Sequence, residues 1–120
     1  MRYCVHFILK EGEILLLKRK LTNPFYPGIW TPIIGKIKPK EKHYDAIVRE
    51  TEEETGLKIE KPQFINHCVY DNDEYWFYHS TITECKIVLN HENELSEFFE
   101  RHSLPENLWS FFKSELEKIT

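Results

Sequence analysis

Residues 35–57 read G-K-I-K-P-K-E-K-H-Y-D-A-I-V-R-E-T-E-E-E-T-G-L, and this stretch decides the architecture. Gly35, Pro39 and the lysines Lys36, Lys38, Lys40 and Lys42 predict a loop. The loop leads into a helix from about His43 to Thr55. Gly56 follows at once and supplies the left-handed cap that ends it. Along this helix Tyr44, Ile47, Val48 and Thr51 recur at i, i+3, i+4 and i+7, the spacing of a buried stripe. Glu50, Glu53 and Glu54 stand at i, i+3 and i+4, so their side chains share one narrow arc beside that stripe.

An acidic arc on a helix has two physical readings. It is either a solvated face or a set of carboxylates crowded around a cation or an arginine. Hard oxygen donors with open coordination positions favour Mg²⁺ or Mn²⁺ over zinc. Gly35, Glu41, Arg49, Glu50, Glu53, Glu54 and Gly56 form a frame, G-x5-E-x7-R-E-x2-E-E-x-G, that chance fills on the order of once in 10⁸ at average residue usage.

Outward from this segment, Tyr3 to Leu9 predicts a strand apolar on both faces, and Ile14 to Leu17 a second buried strand ending in Lys18, Arg19 and Lys20. Leu21 to Gly28 is a loop by its breakers. Trp30 to Ile34 predicts a short strand that Pro32 confines to an edge or a bulge. Further strands are expected at Gln63–Tyr70, Glu74–Ile82 and Cys85–Leu89, with Asp71, Asn72 and Asp73 turning the first pair into a hairpin. Asn90 to Glu97 reads as a polar loop. Leu104, Leu108, Phe111, Phe112, Leu116 and Ile119 predict a final amphipathic helix starting near Ser103 and Pro105.

The 120 residues suit one domain with its own core, and no apolar run is long enough to cross a bilayer or to act as a secretion signal. A cytoplasmic protein is expected, with Cys4, Cys68 and Cys85 as reduced thiols in strands. The net charge of −4 divides unevenly: residues 1–40 carry +6 and residues 41–120 carry −10. That split suits a site handling both anions and metal cations better than a basic face for nucleic acid.

The frame in residues 35–57 resembles the signature of the Nudix hydrolase family, and Leu57 supplies its final apolar position. L-L-L-K-R-K and Y-P-G-I-W-T-P-I-I-G-K-I before it are similar to the second strand and approach loop of MutT-type members. Two positions depart from the pattern. Ile34 stands where most members have the first of two glycines, and Thr51 where a larger apolar residue is usual. The resemblance implies an α/β fold, a Nudix α/β/α sandwich with a central mixed β-sheet, as a single domain over residues 1–120.

It also implies a Mg²⁺- or Mn²⁺-dependent, MutT-like pyrophosphohydrolase of nucleoside triphosphates, with oxidised purine nucleotides such as 8-oxo-dGTP as candidates. Glu50, Glu53 and Glu54 are then the metal ligands, with Glu53, Arg49 and Glu50 catalytic. Glu92, Glu94 and Glu97 are alternatives to Glu53 as the proton acceptor. Arg19 and Lys36 are expected to contact phosphate, and Phe25, Tyr26 and Trp76 to stack on the base. Alternatives are hydrolysis of ADP-ribose, a dinucleoside polyphosphate or an RNA 5′ end, or nucleotide binding without catalysis. A small nucleotide is the expected partner, with no membrane or nucleic-acid role, in a monomer or homodimer.

Overall fold

The computed structural model describes residues 1–24, 26–83 and 86–119. Phe25 and Cys85, two residues of the sequence reading, lie outside them. The elements in chain order are β1 (Arg2–Lys10), β2 (Glu13–Arg19), β3 (Trp30–Thr31), β4 (Ile33–Lys36), α1 (His43–Thr55), β5 (Gln63–Tyr70), β6 (Asp73–Thr81), β7 (Asn93–Phe99) and α2 (Ser110–Leu116). No helix among the described residues is long and apolar enough to cross a membrane.

All seven strands join one mixed sheet. β1 lies parallel to β6 over Arg2–Leu9 and Glu74–Thr81. Its other edge is shared: β4 pairs antiparallel with Tyr3–His6, and β2 with Leu9 and Lys10. β2 then carries β7 along Ile14–Arg19 and β3 at Leu17 and Lys18. β5 closes the far side as a hairpin on β6, through a turn in which Asp71 and Asn72 both adopt positive φ.

Strand alternation sorts β1 between two layers. Tyr3, Val5, Phe7 and Leu9 join Ile14, Leu16, Phe77, Phe112 and Leu116 in the core under α2. Cys4 joins Ala46, Ile47 and Tyr78 under α1, and Ile8 joins Leu15, Leu17 and Ile33 in a smaller cluster. The sheet is thus covered by α1 on one face and α2 on the other, the α/β/α sandwich expected. Each large apolar side chain fully buried here contributes roughly 1.5–3 kcal/mol.

Four expectations change. The expected strand from Cys85 to Leu89 does not form over its described part, residues 86–89. Ile87 and Leu89 pack on the Ile8 cluster, but the Val88 amide donates to the Thr55 carbonyl at 2.9 Å, so this backbone serves the end of α1. The stretch read as a polar loop instead provides β7. Its glutamates reflect an edge strand paired, among the described residues, only to β2 and reached by solvent, since Glu94, Leu95 and Glu97 are exposed and Phe98 and Phe99 only half-buried. Pro32 divides the strand expected at Trp30–Ile34, sending Trp30 and Thr31 to β2 and Ile33 onward to β1. The last helix begins only at Ser110, because Trp109 is extended with ψ 136°.

Candidate active site

α1 forms where expected, and Gly56 ends it at φ 79°, its amide donating to the Glu52 carbonyl at 2.8 Å. The buried face differs slightly from the predicted stripe. Ala46, Ile47, Thr51, Glu54 and Thr55 are buried, whereas Tyr44 is exposed. Glu54 therefore points its carboxylate into the protein.

Arg49 organises the approach to this helix. Its Nε and Nη2 donate to both oxygens of Glu41 at 2.9 Å each, and Nη2 also donates to the Lys36 carbonyl at 3.1 Å. Nη1 donates to Glu50 at 2.7 Å and to Glu53 at 3.2 Å. Glu41 accepts a further bond from the Lys38 amide at 3.0 Å, so one guanidinium ties the loop before α1 to the acidic arc. Hydrogen bonding from Arg49 holds the Glu41 carboxyl down at about 2. The same carboxylates raise the Arg49 pKa.

Gly35 makes room for Glu50. A Cβ on Gly35 would lie 2.1 Å from the Glu50 carboxylate carbon, so only a glycine leaves that carboxylate its place. Burial raises the Glu50 pKa, with Glu53 and Glu92 adding repulsion against the opposing pull of Arg49. Glu54 is 1% exposed, and its Oε2 has no hydrogen-bond partner. Burial first, then the charges of Glu50 and Glu92, push its pKa well above the usual carboxylate range, while Arg19 pulls it down.

Among the described residues no three His, Cys, Asp or Glu side chains are gathered closely enough to clasp an ion. Arg49 draws Glu50 and Glu53 towards itself, which keeps the arc open. The donor set nonetheless suits a hard divalent cation. A buried, unpartnered Glu54 oxygen beside two further carboxylates is an arrangement that such a charge would relieve.

Facing this arc is a cavity of about 560 Å³ whose lining is of two kinds. Arg19, Lys36, Glu50 and Glu92 bring charge, with Gly35 between them; Tyr3, Tyr26, Ile34, Trp109 and Phe112 bring apolar and aromatic surface. Tyr26 meets Trp109 edge-on with ring centroids 4.5 Å apart, and Trp109 stacks on Phe112 at 5.4 Å. Arg19 is buried at the end of β2, whereas Lys36 is exposed at the end of β4.

Of the residues singled out from sequence, Arg19, Lys36, Tyr26 and Glu50 line this cavity. Glu54 adjoins it through the mutual influence of its charge with those of Glu50, Glu92 and Arg19. Glu53 is half exposed and does not line it. Among the late acids Glu92 lines the cavity, Glu94 pairs with Lys18 at 3.5 Å, and Glu97 is exposed on β7. Trp76 stands elsewhere: it stacks on His43 at 5.4 Å and on His67 at 4.4 Å, with the Arg2 guanidinium 5.2 Å from its ring. These partners already cover its ring, so its expected stacking on a base has no support in its position.

Sequence reasoning missed Trp109, Phe112 and Tyr3 as lining residues. Trp109 falls outside the heptad-like stripe of the final segment, which was the one signal pointing to it. Asn93, which pairs in register with the lining residue Arg19 but does not itself line the cavity, is 3% exposed, and neither side-chain amide atom has a partner.

Comparison with known proteins agrees with this geometry. Residues 2–117 match the model of the NUDIX domain. The structure superposes on a MutT NUDIX hydrolase from Burkholderia pseudomallei with a TM-score of 0.84 and 27% identity, covering 99% of this chain and 97% of that one. In sequence the chain is 32% identical over 60 residues to an isopentenyl-diphosphate Delta-isomerase of Kocuria rhizophila, a match spanning 49% of this chain and 33% of the isomerase. It is 34% identical over 58 residues to the NAD-capped RNA hydrolase NudC of Stutzerimonas stutzeri, spanning 48% of this chain and 20% of that protein. The chain thus matches a third or less of the length of these two curated relatives. With a matching domain model over nearly its whole length, a MutT-type architecture and the complete G-x5-E-x7-R-E-x2-E-E-x-G frame, the chain belongs to the NUDIX domain family.

Proposed function

We propose that this protein hydrolyses nucleoside triphosphates to a nucleoside monophosphate and pyrophosphate with the help of Mg²⁺ or Mn²⁺. One observation carries the reading: Glu50 and Glu92 line one cavity together with Arg19, Lys36 and an aromatic wall, and the buried Glu54 feels the charges of both acids and of Arg19. Carboxylates that hold a cation, cations that hold phosphate and rings that hold a base are the three requirements of such a substrate.

Glu50 and Glu54 would hold the ion, with Glu53 available once it leaves Arg49. Such an ion supplies charge neutralisation at the phosphate oxygens and a bound water of lowered pKa. Arg19 and Lys36 orient the polyphosphate, and Tyr26, Trp109 and Phe112 offer faces and edges to the base. Water attacks phosphorus, the anhydride P–O bond breaks, pyrophosphate leaves, and the water's proton passes to a carboxylate. Glu92 is the preferred acceptor, because it lines the cavity while Glu53 is turned to Arg49. Arg49 acts on the carboxylates and the loop before α1, not on substrate. Such an enzyme would act in the cytoplasm on small nucleotides, as a monomer or homodimer.

A panel of canonical and oxidised triphosphates, 8-oxo-dGTP first, tests this with purified protein and Mg²⁺ or Mn²⁺. Pyrophosphate release from at least one is expected, and an intact panel refutes the reading. Glu92→Gln should lower kcat by about 10²–10⁴-fold with little change in KM. The likeness to NudC favours a second reading, cleavage of another nucleoside diphosphate derivative or an RNA 5′ end. Products decide between them, since ADP-ribose gives AMP and ribose phosphate without pyrophosphate. Isopentenyl diphosphate belongs in the same panel because of the isomerase likeness.

A further inference from the structure

Three buried side chains from three elements form a continuous hydrogen-bonded chain beneath α1. His6 of β1 has no solvent exposure. One ring nitrogen, Nδ1, lies 2.7 Å from Thr51 Oγ1 of α1, and the other, Nε2, lies 2.7 Å from Ser80 Oγ of β6. Thr51 Oγ1 is also 2.7 Å from the Ile47 carbonyl oxygen one turn back.

Counting hydrogens leaves one assignment. A hydroxyl has a single hydrogen and a carbonyl only accepts, so Thr51 donates to Ile47 and accepts from the ring. His6 Nδ1 therefore carries the proton. Nε2 is then the acceptor, and the Ser80 hydroxyl donates to it. Burial, with a smaller push from His79, holds the ring's pKa down at about 3, which agrees with a neutral ring of fixed tautomer.

The position of Thr51 gives this chain its consequence. It directly follows Glu50 and precedes Glu54 by three residues, so Glu50 lies about 100° and Glu54 about 60° from it around the helix axis. An apolar residue, the usual occupant of this position in the family pattern, rests on the sheet without direction. A hydroxyl bonded to a fixed imidazole sets a rotation. His6 is itself fixed, because β1 is paired on both edges at this point, to β4 through Ile33 and to β6 through Tyr78.

We propose that His6 is a positioning residue for the cation site: its Nδ1–H bond to Thr51 sets the rotation of α1 and hence where Glu50 and Glu54 present their carboxylates. The proposal rests on the assignment of those two glutamates as cation ligands. It assigns His6 no contact with substrate.

Two conservative variants separate this role from general support of the core. His6→Asn places an amide N–H where Nδ1 stands, keeping the bond to Thr51 and losing Ser80. His6→Gln reaches Ser80 and leaves Thr51 without its donor. Each gives up one bond of two, so a merely structural role predicts equal effects. Mn²⁺ affinity, measured by electron paramagnetic resonance on the full chain, should stay within about threefold of wild type for His6→Asn and weaken about tenfold or more for His6→Gln. Equal affinities in the two variants overturn the proposal. Glu54→Gln in the same titration reads the underlying assignment: unchanged Mn²⁺ affinity there refutes the cation site itself, and the His6 proposal with it. If neither His6 variant folds, ¹⁵N spectra of the wild type decide. A neutral Nδ1–H ring at pH 6 is expected, and an Nε2–H tautomer or a protonated ring overturns the proposal.

Discussion

Gly35 and Glu50 are in such close contact that a methyl group on the glycine would lie 2.1 Å from the carboxylate carbon and 2.4 Å from Oε2. The glycine is required by space. The obstructing atoms belong to a side chain that can swing away, so Gly35→Ala should cost little stability while displacing a carboxylate of the candidate site. We expect unfolding free energy to change by about 1 kcal/mol or less and turnover to fall by about tenfold or more. Denaturant unfolding and steady-state kinetics on the same preparation check this, and a large stability loss with intact turnover contradicts it.

The pairing of Arg49 with Glu41 makes a lysine a poor substitute. Lysine keeps the charge but cannot bond both Glu41 oxygens, Glu50 and the Lys36 carbonyl together, so Arg49→Lys should lose about 2 kcal/mol. The Glu41 carboxyl is depressed to about 2 when folded. Its contribution is therefore present above its unfolded pKa of about 4.3 and is lost as pH falls from there towards 2. Acid unfolding of Arg49→Lys should show a flatter profile across that window than wild type.

Glu54 has the opposite sign. Its folded pKa is raised, so without a cation its ionisation costs stability increasingly as pH rises above the unfolded value. In EDTA at pH 8, Glu54→Gln should melt higher than wild type. Added Mn²⁺ or Mg²⁺ should reverse the order, stabilising wild type by about 2.7 kcal/mol at a hundred times Kd and leaving the variant nearly unmoved. Thermal melts with and without the ion test both halves.

Trp109 is the one tryptophan among the residues lining the cavity, since Trp76 is stacked on His43 and His67 and Trp30 packs on Phe99. A bound nucleotide should therefore change tryptophan emission through Trp109. Trp109→Phe should abolish most of that change, and Trp109→Ala should raise KM by about 5–30-fold, the weight of a stacking contact worth about 1–2 kcal/mol. An unaltered signal in the variant would place the base elsewhere.

His6 predicts a pH dependence of folding. Its ring, at about 3 when folded, is neutral where an unfolded histidine near 6.5 already protonates. The resulting stability is complete above pH 6.5 and is lost as pH falls towards 3. Between pH 7 and pH 5 wild type should lose about 2 kcal/mol more than His6→Asn, measured by urea unfolding at each pH, while His43 and His79, whose pKa values burial also lowers, contribute equally to both proteins.

How much of this was legible beforehand follows from the range of the interactions. The bounds of α1 and the turn at Asp71 and Asn72 were readable because capping glycines and turn residues act within a few positions. The frame from Gly35 to Gly56 was readable because a helix places Glu50, Glu53 and Glu54 by spacing alone. β7 was not, since Asn93–Phe99 is a strand by virtue of its pairing with β2, and its own sequence is too polar to announce one. Ile87 and Leu89 misled for the converse reason: an apolar alternation marks burial, and burial here came without a ladder.

Helical spacing alone placed the acidic arc, and the G-x5-E-x7-R-E-x2-E-E-x-G frame carried the resemblance from which the family and the sandwich fold followed. Only the packing of distant segments brings Glu92 beside Glu50 at the cavity while Glu53 turns to Arg49, and gives the cavity Trp109 and not Trp76. It also decided that the hydroxyl of Thr51 answers to His6, forty-five residues earlier in the chain. Such partnerships depend on which strands lie side by side and which faces they present. Spacing along one helix cannot specify a neighbour that arrives from another part of the chain.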